Sequence, residues 1–264
     1  MASIQQSTLG LGGINVEIAE SGTGRPVVFL HSGDGLAHCE PFLGRMASAC
    51  RVIAPSHPGF GHSDLPAQFH AIDDLAYFYL DLFAQMKLQQ AVLVGASFGG
   101  WIAAEIAIRS TANISHLVLV DAVGIRHSKD ETAVEIQDIF TLHPEELDRR
   151  AYVEPARWKK GPDACTDDEL FVMARNRESL ALFGWSPYMY NPLLARWLHR
   201  IGVPTMVLWG EKDGIVSPDY GRAYAAAIPG ARFDLIRGAA HHPAVEQPEA
   251  VASAVAKFAG ITLA

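Results

Sequence analysis

The chain has 264 residues, of which 49% are hydrophobic and 19% are charged, so it is long enough for one large core with an inserted subdomain. Its formal net charge of -8 argues against nucleic acid or an anionic membrane surface as a partner. The three cysteines are odd in number and lack metal-type spacing, which excludes a full disulfide framework. No signal peptide is visible and no apolar run approaches membrane-spanning length, so we expect a cytoplasmic protein.

The first part of the chain alternates short apolar runs with turn-forming residues. Residues 15–19 alternate polar and apolar side chains, as in a half-exposed strand at an antiparallel sheet edge. Residues 27–30 and 50–54 predict buried strands, and each leads into a loop rich in glycine or proline. Apolar residues at helical spacing predict a helix over 72–86.

A strand, a glycine turn and a helix follow one another around Ser97. Residues 92–94 form a short apolar run rich in β-branched side chains, and residues 95–99 have the spacing G-x-S-x-G. Residues 101–108 are apolar nearly all round, as in a buried helix. This pattern predicts a serine at the apex of a strained bend, with its hydroxyl near the positive end of the helix.

The stretch from 122 to 200 has a different character. It lacks clear strands and contains helix starts at Pro144, at Thr166 with Glu169 as a capping box, and at Pro192. It also concentrates aromatic residues, namely Phe140, Trp158, Phe171, Phe183, Trp185, Tyr188 and Tyr190. We interpret residues 122–200 as a helical cap insertion in a core formed by residues 1–121 and 201–264.

The strand rhythm resumes after the insertion. Residues 205–209 and 232–236 predict strands, residues 219–227 a helix, and Pro248 begins a last helix that ends at Gly260. Alternating strands and helices predict an α/β fold with a mostly parallel sheet flanked by helices. Ligands of such sheets bind beyond the carboxyl ends of the strands, where the notable loops of this chain lie.

Those loops carry the residue types of nucleophilic catalysis. A serine hydroxyl becomes a good nucleophile only when a base takes its proton, and a third group must orient that base. An acid candidate, Asp213, follows the strand over 205–209, and His241 and His242 follow the last strand. The order serine, acid, histidine is that of the α/β-hydrolases.

The sequence resembles the cap-bearing α/β-hydrolases of the esterase and carbon–carbon hydrolase branch over most of its length. Residues 31–34 match the His-Gly-x-x loop of that family, with serine in place of glycine, and residues 55–64 match its Pro-x-x-Pro-Gly-Phe-Gly-x-Ser-Asp loop. Residues 95–99 match the nucleophile turn, 209–213 the acid turn and 241–248 the histidine loop.

The resemblance implies a role for each matched residue. Ser97 is expected to be the nucleophile, His241 the general base and later the acid, and Asp213 the group that fixes the imidazole tautomer. The expected oxyanion donors are the backbone N–H groups of Gly33 and Phe98.

Several alternatives remain open at the level of sequence. His242 is a rival base, although the spacing to Pro243 and Glu246 favours His241, and Asp121 is a rival acid because it also ends a strand. Glu211 is expected to be a solvated turn residue, and His31 to brace the oxyanion loop.

No cofactor or metal is expected. The chain has no G-x-G-x-x-G and no P-loop, so nucleotide cofactors are not indicated. His57, His62 and Asp64 superficially suggest a metal cluster, but the intervening Pro-Gly-Phe-Gly favours a structural loop.

The predicted function is hydrolysis of a small-molecule substrate. Serine at position 97 argues against the epoxide hydrolases and haloalkane dehalogenases of the family, which use aspartate there. A carboxylesterase acting on small, largely apolar esters is favoured, with Asp34, Trp185, Tyr188 and Tyr190 as substrate-binding candidates. The alternatives are a carbon–carbon hydrolase of the meta-cleavage type, whose acid substrates Asp34 would repel, and a non-catalytic receptor. Amide or lactone hydrolysis, cofactor-free perhydrolysis and the oligomeric state are left open.

Overall fold

Eight strands form one sheet within the described residues of the computed structural model, which are 4–130, 132–158 and 160–263. The strands are β1 (Gln5–Leu11), β2 (Ile14–Ser21), β3 (Pro26–Leu30), β4 (Arg51–Pro55), β5 (Ala91–Ala96), β6 (Ile114–Val120), β7 (Thr205–Gly210) and β8 (Arg232–Ile236). Their spatial order is β1-β2-β4-β3-β5-β6-β7-β8. The pairs β1–β2 and β2–β4 are antiparallel, and the other pairs are parallel, which confirms the predicted α/β class.

The centre of the sheet is formed by the most apolar strands. Leu93 of β5 lies between Val28 of β3 and Leu117 of β6, and all three side chains are fully buried. Strands covered by helices on both faces need such continuous apolar runs. The carboxyl ends of these strands are therefore supported by a rigid, fully packed sheet core.

Six helices of the described chain lie outside the connection between β6 and β7. They are α1 (Glu40–Ala47), α2 (Ile72–Gln85), α3 (Phe98–Arg109), α8 (Pro218–Ala227), α9 (Pro243–Glu246) and α10 (Pro248–Ala259). α2 packs on α3, and α1 packs on α10. α10 ends at Gly260, which takes a left-handed conformation with φ 67°, as glycine does readily at helix ends.

The connection between β6 and β7 contains α4 (Pro144–Ala151), α5 (Pro155–Trp158), α6 (Asp167–Gly184) and α7 (Leu194–Trp197). The predicted capping box is present, since Thr166 accepts the N–H of Glu169 and the Glu169 carboxylate accepts the N–H of Thr166. α7 begins at Leu194 and not at Pro192, because the Asn191 side chain first accepts the N–H of Leu193 in a turn. No helix in the described ranges has the length and apolarity needed to span a membrane.

The sheet-edge strand β1 and the helix α1 are among the elements that lie outside the sequence predictions. β1 pairs with β2 along its whole length and forms the sheet edge, so the strand predicted over 15–19 is antiparallel but lies one position inside that edge. The residues of β1 are largely exposed, and without an apolar face the strand has no sequence pattern.

Candidate active site

Ser97 occupies a strained bend between β5 and α3. Its backbone angles are φ 49° and ψ -111°, a conformation that is costly for a residue with a side chain. The Ser97 N–H donates to the carbonyl oxygen of Val120 at 2.8 Å, which ties the bend to β6. A Cβ atom on Gly95 would collide with the Gly99 backbone, and one on Gly99 would collide with the Leu30 carbonyl. The glycines therefore permit the turn that presents the serine hydroxyl.

Ser97, His241 and Asp213 form one chain of hydrogen bonds. The Ser97 Oγ atom lies 2.8 Å from His241 Nε2, and His241 Nδ1 lies 2.8 Å from Asp213 Oδ2. All three residues are buried. Because the ionised carboxylate can only accept, His241 carries its proton on Nδ1 and accepts the serine proton at Nε2.

Backbone amides fix the Asp213 carboxylate. Its Oδ1 atom accepts the N–H groups of Ile215 at 2.8 Å and Val216 at 3.0 Å. The other oxygen is therefore directed at His241. These bonds come from the turn after β7, so the acid is oriented before any substrate binds.

The rival residues have other partners. His242 Nε2 lies 3.6 Å from Asp34 Oδ2. The Asp121 carboxyl accepts the N–H of Gly210 through Oδ1 at 2.9 Å. Glu211, which is exposed, accepts the N–H of Gly238 at 3.4 Å. This geometry favours His241 and Asp213 over the alternatives, although their catalytic roles stay predictions.

The predicted oxyanion donors lie on two segments in close contact. Phe98 is the first residue of α3, and Gly33 lies in the loop after β3. Close packing of Gly99 against the carbonyl oxygens of Leu30 and His31 brings that loop onto the first turn of α3. Within the described chain, neither the Gly33 nor the Phe98 N–H donates to a protein acceptor. Both amides are thus available to a ligand.

A buried histidine pair supports the loop after β3. The N–H of His57 donates to His31 Nε2 at 3.0 Å, so the His31 proton lies on Nδ1 and donates to the Ser32 carbonyl at 2.6 Å. His57 Nε2 donates to the His31 carbonyl at 2.9 Å, and His57 Nδ1 accepts from the Tyr79 hydroxyl at 2.5 Å. Burial lowers the pKa of His31 to about 4, and burial together with His31 lowers the pKa of His57 well below its ordinary value. Both rings are neutral, as the predicted bracing role of His31 requires.

One face of α6 is fastened to the loops below it. Asn176 accepts the N–H of Gly61 at 2.8 Å and donates to the Asp34 carbonyl oxygen at 3.0 Å. The Ser179 hydroxyl donates to the Gly59 carbonyl at 2.6 Å. The connection between β6 and β7 is therefore joined directly to the two loops that follow β3 and β4.

The apolar part of the same face lies over the oxyanion loop. A Cβ atom on Gly33 would lie only 2.5 Å from Leu180 Cδ2, and the Phe183 ring lies 6.4 Å from that of Phe98. This face was not evident from the sequence. Residues 176, 179, 180 and 183 are buried at helical spacing, but Asn176 and Ser179 are polar, so the apolar pattern of the helix is incomplete.

Asp34 lies beside the site with polar partners. Its Oδ2 atom is 3.4 Å from the Tyr152 hydroxyl and 3.6 Å from His242 Nε2. The Tyr152 ring stacks on His242 with centroids 4.7 Å apart. Burial and the Asp34 charge raise the pKa of Tyr152 well above its ordinary value, so the phenol is a donor. The Asp34 side chain is still 52% exposed, which leaves its negative charge open to solvent.

The three predicted aromatic substrate contacts lie elsewhere in the connection between β6 and β7. Trp185 is 58% exposed and packs on Phe140. The Tyr188 hydroxyl donates to the Gln137 carbonyl at 2.8 Å, and the Tyr190 ring lies under the Arg126 guanidinium. Their role in substrate binding stays a prediction.

The histidines and the aspartate of the loop over 55–64 have separate partners. His57 contacts His31 and Tyr79, as described above. His62 Nε2 lies 3.2 Å from Asp168 Oδ1, and Asp64 Oδ2 accepts the N–H of Asn15 at 2.8 Å. These contacts fit the predicted structural loop.

Comparisons with known proteins agree with this architecture. Residues 27–254 match the model of the alpha/beta hydrolase family. A putative non-heme haloperoxidase of Mycobacterium phage D29 is 28% identical over 257 residues, covering 92% of this chain and 91% of that protein. The 2-hydroxymuconate semialdehyde hydrolase of Pseudomonas sp. strain CF600 is 36% identical over 118 residues, covering 43% of this chain and 42% of that protein.

A solved structure of a thermophilic esterase from Thermogutta terrifontis is also similar. It superposes with a TM-score of 0.74 at 25% identity, covering 96% of this chain and 97% of that chain. These similarities span several kinds of chemistry on one scaffold. Since the family model covers most of the sequence, the chain belongs to the alpha/beta hydrolase family.

Proposed function

We propose that this hydrolase cleaves small, largely apolar carboxylic esters through an acyl-enzyme formed on Ser97. The observation that carries the proposal is the continuous hydrogen-bond chain from Asp213 through His241 to Ser97, with both links at 2.8 Å. That arrangement supplies a nucleophile, a base and an orienting carboxylate in the order that acyl transfer needs.

In the first half of the reaction, Ser97 Oγ attacks the ester carbonyl carbon while its proton passes to His241 Nε2. The charge that develops on the carbonyl oxygen is met by the unpaired N–H groups of Gly33 and Phe98. Each such donor contributes about 2.7–4 kcal/mol to the stability of the transition state. His241 then protonates the departing alcohol, and Asp213 stabilises the imidazolium in between.

In the second half, His241 removes a proton from water, which attacks the acyl carbon. The tetrahedral intermediate again uses the two backbone amides and collapses to release the acid and restore the Ser97 hydroxyl. The Asp34 carboxylate near the loop disfavours substrates with a free carboxylate, because like charges repel. Leu180 and Phe183 provide an apolar cover suited to short alkyl or aryl groups.

Carbon–carbon bond hydrolysis of the meta-cleavage type is the second candidate. It is supported by the 36% identity over 118 residues to 2-hydroxymuconate semialdehyde hydrolase. The same serine, histidine and aspartate would serve it. The substrate named for that relative is acidic, however, and Asp34 opposes an acidic substrate here.

The test compares the turnover of three substrates by the purified protein: p-nitrophenyl acetate, p-nitrophenyl butyrate and a ring-cleavage dienoate. Ester hydrolysis that is lost in Ser97→Ala and retained in Ser253→Ala, a control on the exposed side of α10, supports the proposal. A serine-directed phosphonate should label Ser97 alone. Preference for the dienoate supports the second candidate, and binding of an ester with scarcely any turnover supports a receptor.

A further inference from the structure

Asp121 is a buried acid that the proposed reaction does not use. It follows β6 directly, takes a positive φ of 46°, and is only 1% exposed. Its N–H donates to the Leu208 carbonyl at 3.0 Å, and its Oδ1 atom accepts the N–H of Gly210 at 2.9 Å. The side chain is thus held between the strand that supports Ser97 and the turn that carries Asp213.

Two carboxyl groups meet at this point. Oxygen atoms of Asp121 and Asp213 and a ring nitrogen of His241 all lie within 4.8 Å of one another. The Oδ2 atom of Asp121 is buried, and no N–H or O–H of the described residues donates to it. Two ionised carboxylates this close in a buried site repel strongly, so such a pair retains one proton.

The available donors determine which of the two acids keeps the proton. Asp213 accepts three hydrogen bonds, from the Ile215 and Val216 amides and from His241 Nδ1. Asp121 accepts one, from Gly210. Hydrogen bonds to a carboxylate stabilise its charged form, so the charge belongs on Asp213 and the proton on Asp121.

We propose that Asp121 is a positioning residue that remains protonated at neutral pH and donates a hydrogen bond to the Asp213 carboxylate. This inference rests on the proposed serine mechanism for its kinetic meaning, but the shared proton itself does not depend on turnover. The proposed base, His241, then faces one negative charge instead of two.

The surrounding groups support this assignment. The ionisable groups that face Asp121 are Asp213 from the β7–α8 loop, His241 from the β8–α9 loop and Glu246 from α9. Burial and the nearby Asp213 carboxylate raise the pKa of Asp121 well above its ordinary value, and Glu246 acts in the same direction.

The first test is the pH profile of kcat/KM for Asp121→Asn. Asparagine has the shape of a protonated aspartic acid, and it can accept from Gly210 and donate to Asp213. The expected result is kcat within about threefold of wild type and an unchanged acidic limb. If Asp121 is ionised in the wild type, the substitution removes a charge near His241 and moves the acidic limb about one pH unit lower. That shift would overturn the proposal.

Asp121→Ala provides the contrast. Alanine removes the hydrogen bond donated to Asp213, so the negative charge of that carboxylate is no longer partly delocalised onto a donor. We therefore expect kcat to fall about tenfold or more and the acidic limb to move to higher pH. Asparagine rescuing what alanine loses supports the hydrogen bond. Equal losses in both variants would contradict it.

A second measurement needs no activity. Infrared difference spectra at neutral pH should contain the carbonyl band of a protonated carboxyl in the wild type and in Glu246→Gln, but not in Asp121→Asn. Absence of that band from the wild type overturns the proposal even if esters are hydrolysed. Its presence in a protein that hydrolyses no ester supports the pair while removing the esterase function.

Discussion

Glu246 joins Val153, in the connection between β6 and β7, to the histidine loop. Its Oε1 atom accepts the Val153 N–H and its Oε2 atom accepts the Ala240 N–H, each at 2.7 Å. The amide of His241 itself donates to the Ala151 carbonyl at 3.0 Å. The connection between β6 and β7 therefore holds the loop that carries the proposed base.

Glu246→Gln should weaken this junction. An amide side chain has one accepting oxygen, so its NH₂ group would face either the Val153 or the Ala240 N–H, and one buried donor would lose its partner. We expect a loss of about 1–3 kcal/mol in the free energy of unfolding and about a tenfold lower kcat, measured by denaturation and by ester hydrolysis. Glu249→Gln, at an exposed position in α10, is the control. Wild-type kcat in Glu246→Gln would remove the positioning role.

The two adjacent histidines should differ sharply. His241→Ala removes the group bonded to both Ser97 and Asp213, so kcat should fall about 10⁴-fold. His242→Ala removes a ring stacked on Tyr152 and should leave kcat within about tenfold of wild type. Steady-state kinetics on p-nitrophenyl butyrate measure both values, and the reverse ranking would reassign the base.

Asp34→Asn should widen the range of substrates. The substitution keeps the shape of the side chain while removing a half-exposed negative charge beside the oxyanion loop. We expect kcat/KM for a hemisuccinate ester to rise about tenfold, with little change for the uncharged butyrate ester of the same alcohol. The ratio of the two values is the measurement. A ratio equal to that of the wild type would show that Asp34 does not select against anions.

Gly33→Ala should disturb the oxyanion loop through Leu180. The added methyl group would lie 2.5 Å from Leu180 Cδ2, so the loop must shift and carry its N–H out of position. Loss of one such donor lowers kcat by about 10²–10³-fold with little effect on KM. Gly44→Ala is the control, since a Cβ there meets open space. The double variant with Leu180→Ala should recover part of the rate, and no recovery would contradict the steric account.

The buried histidine pair predicts loss of stability in acid. The pKa of His31 is about 4 in the folded protein against 6.5 for an exposed histidine. The unfolded chain therefore binds more protons between these values, and stability decreases as pH falls from about 6.5 toward about 4. For His31 alone this amounts to about 2 kcal/mol at about pH 5.

Urea denaturation across that range measures the effect. His57 adds to it in the same direction, because its pKa is lowered further. His31→Gln should reduce the slope of stability against pH, although it also lowers the stability at neutral pH. An unchanged slope in that variant would indicate that other groups titrate.

The predictable parts of this protein were those encoded by local patterns. The bend at Ser97 needs glycines on either side, and the parallel strands need continuous apolar runs, so both were evident from sequence. β1 was not, because a strand without a buried face has no apolar period. The contact between Asp121 and Asp213 joins polar groups far apart in the chain, and no local rule pairs them.

The polar and the apolar side chains on the buried face of α6 have different partners. Asn176 and Ser179 hold the helix through side-chain hydrogen bonds to backbone groups of the loops after β3 and β4, whereas Leu180 lies against Gly33 and Phe183 against Phe98. Exchanging Leu180 and Phe183 for smaller or larger apolar residues can thus change the shape of the apolar cover without breaking the hydrogen bonds that hold α6. Laboratory evolution of new specificities should accumulate its changes at positions 180 and 183 and spare 176 and 179.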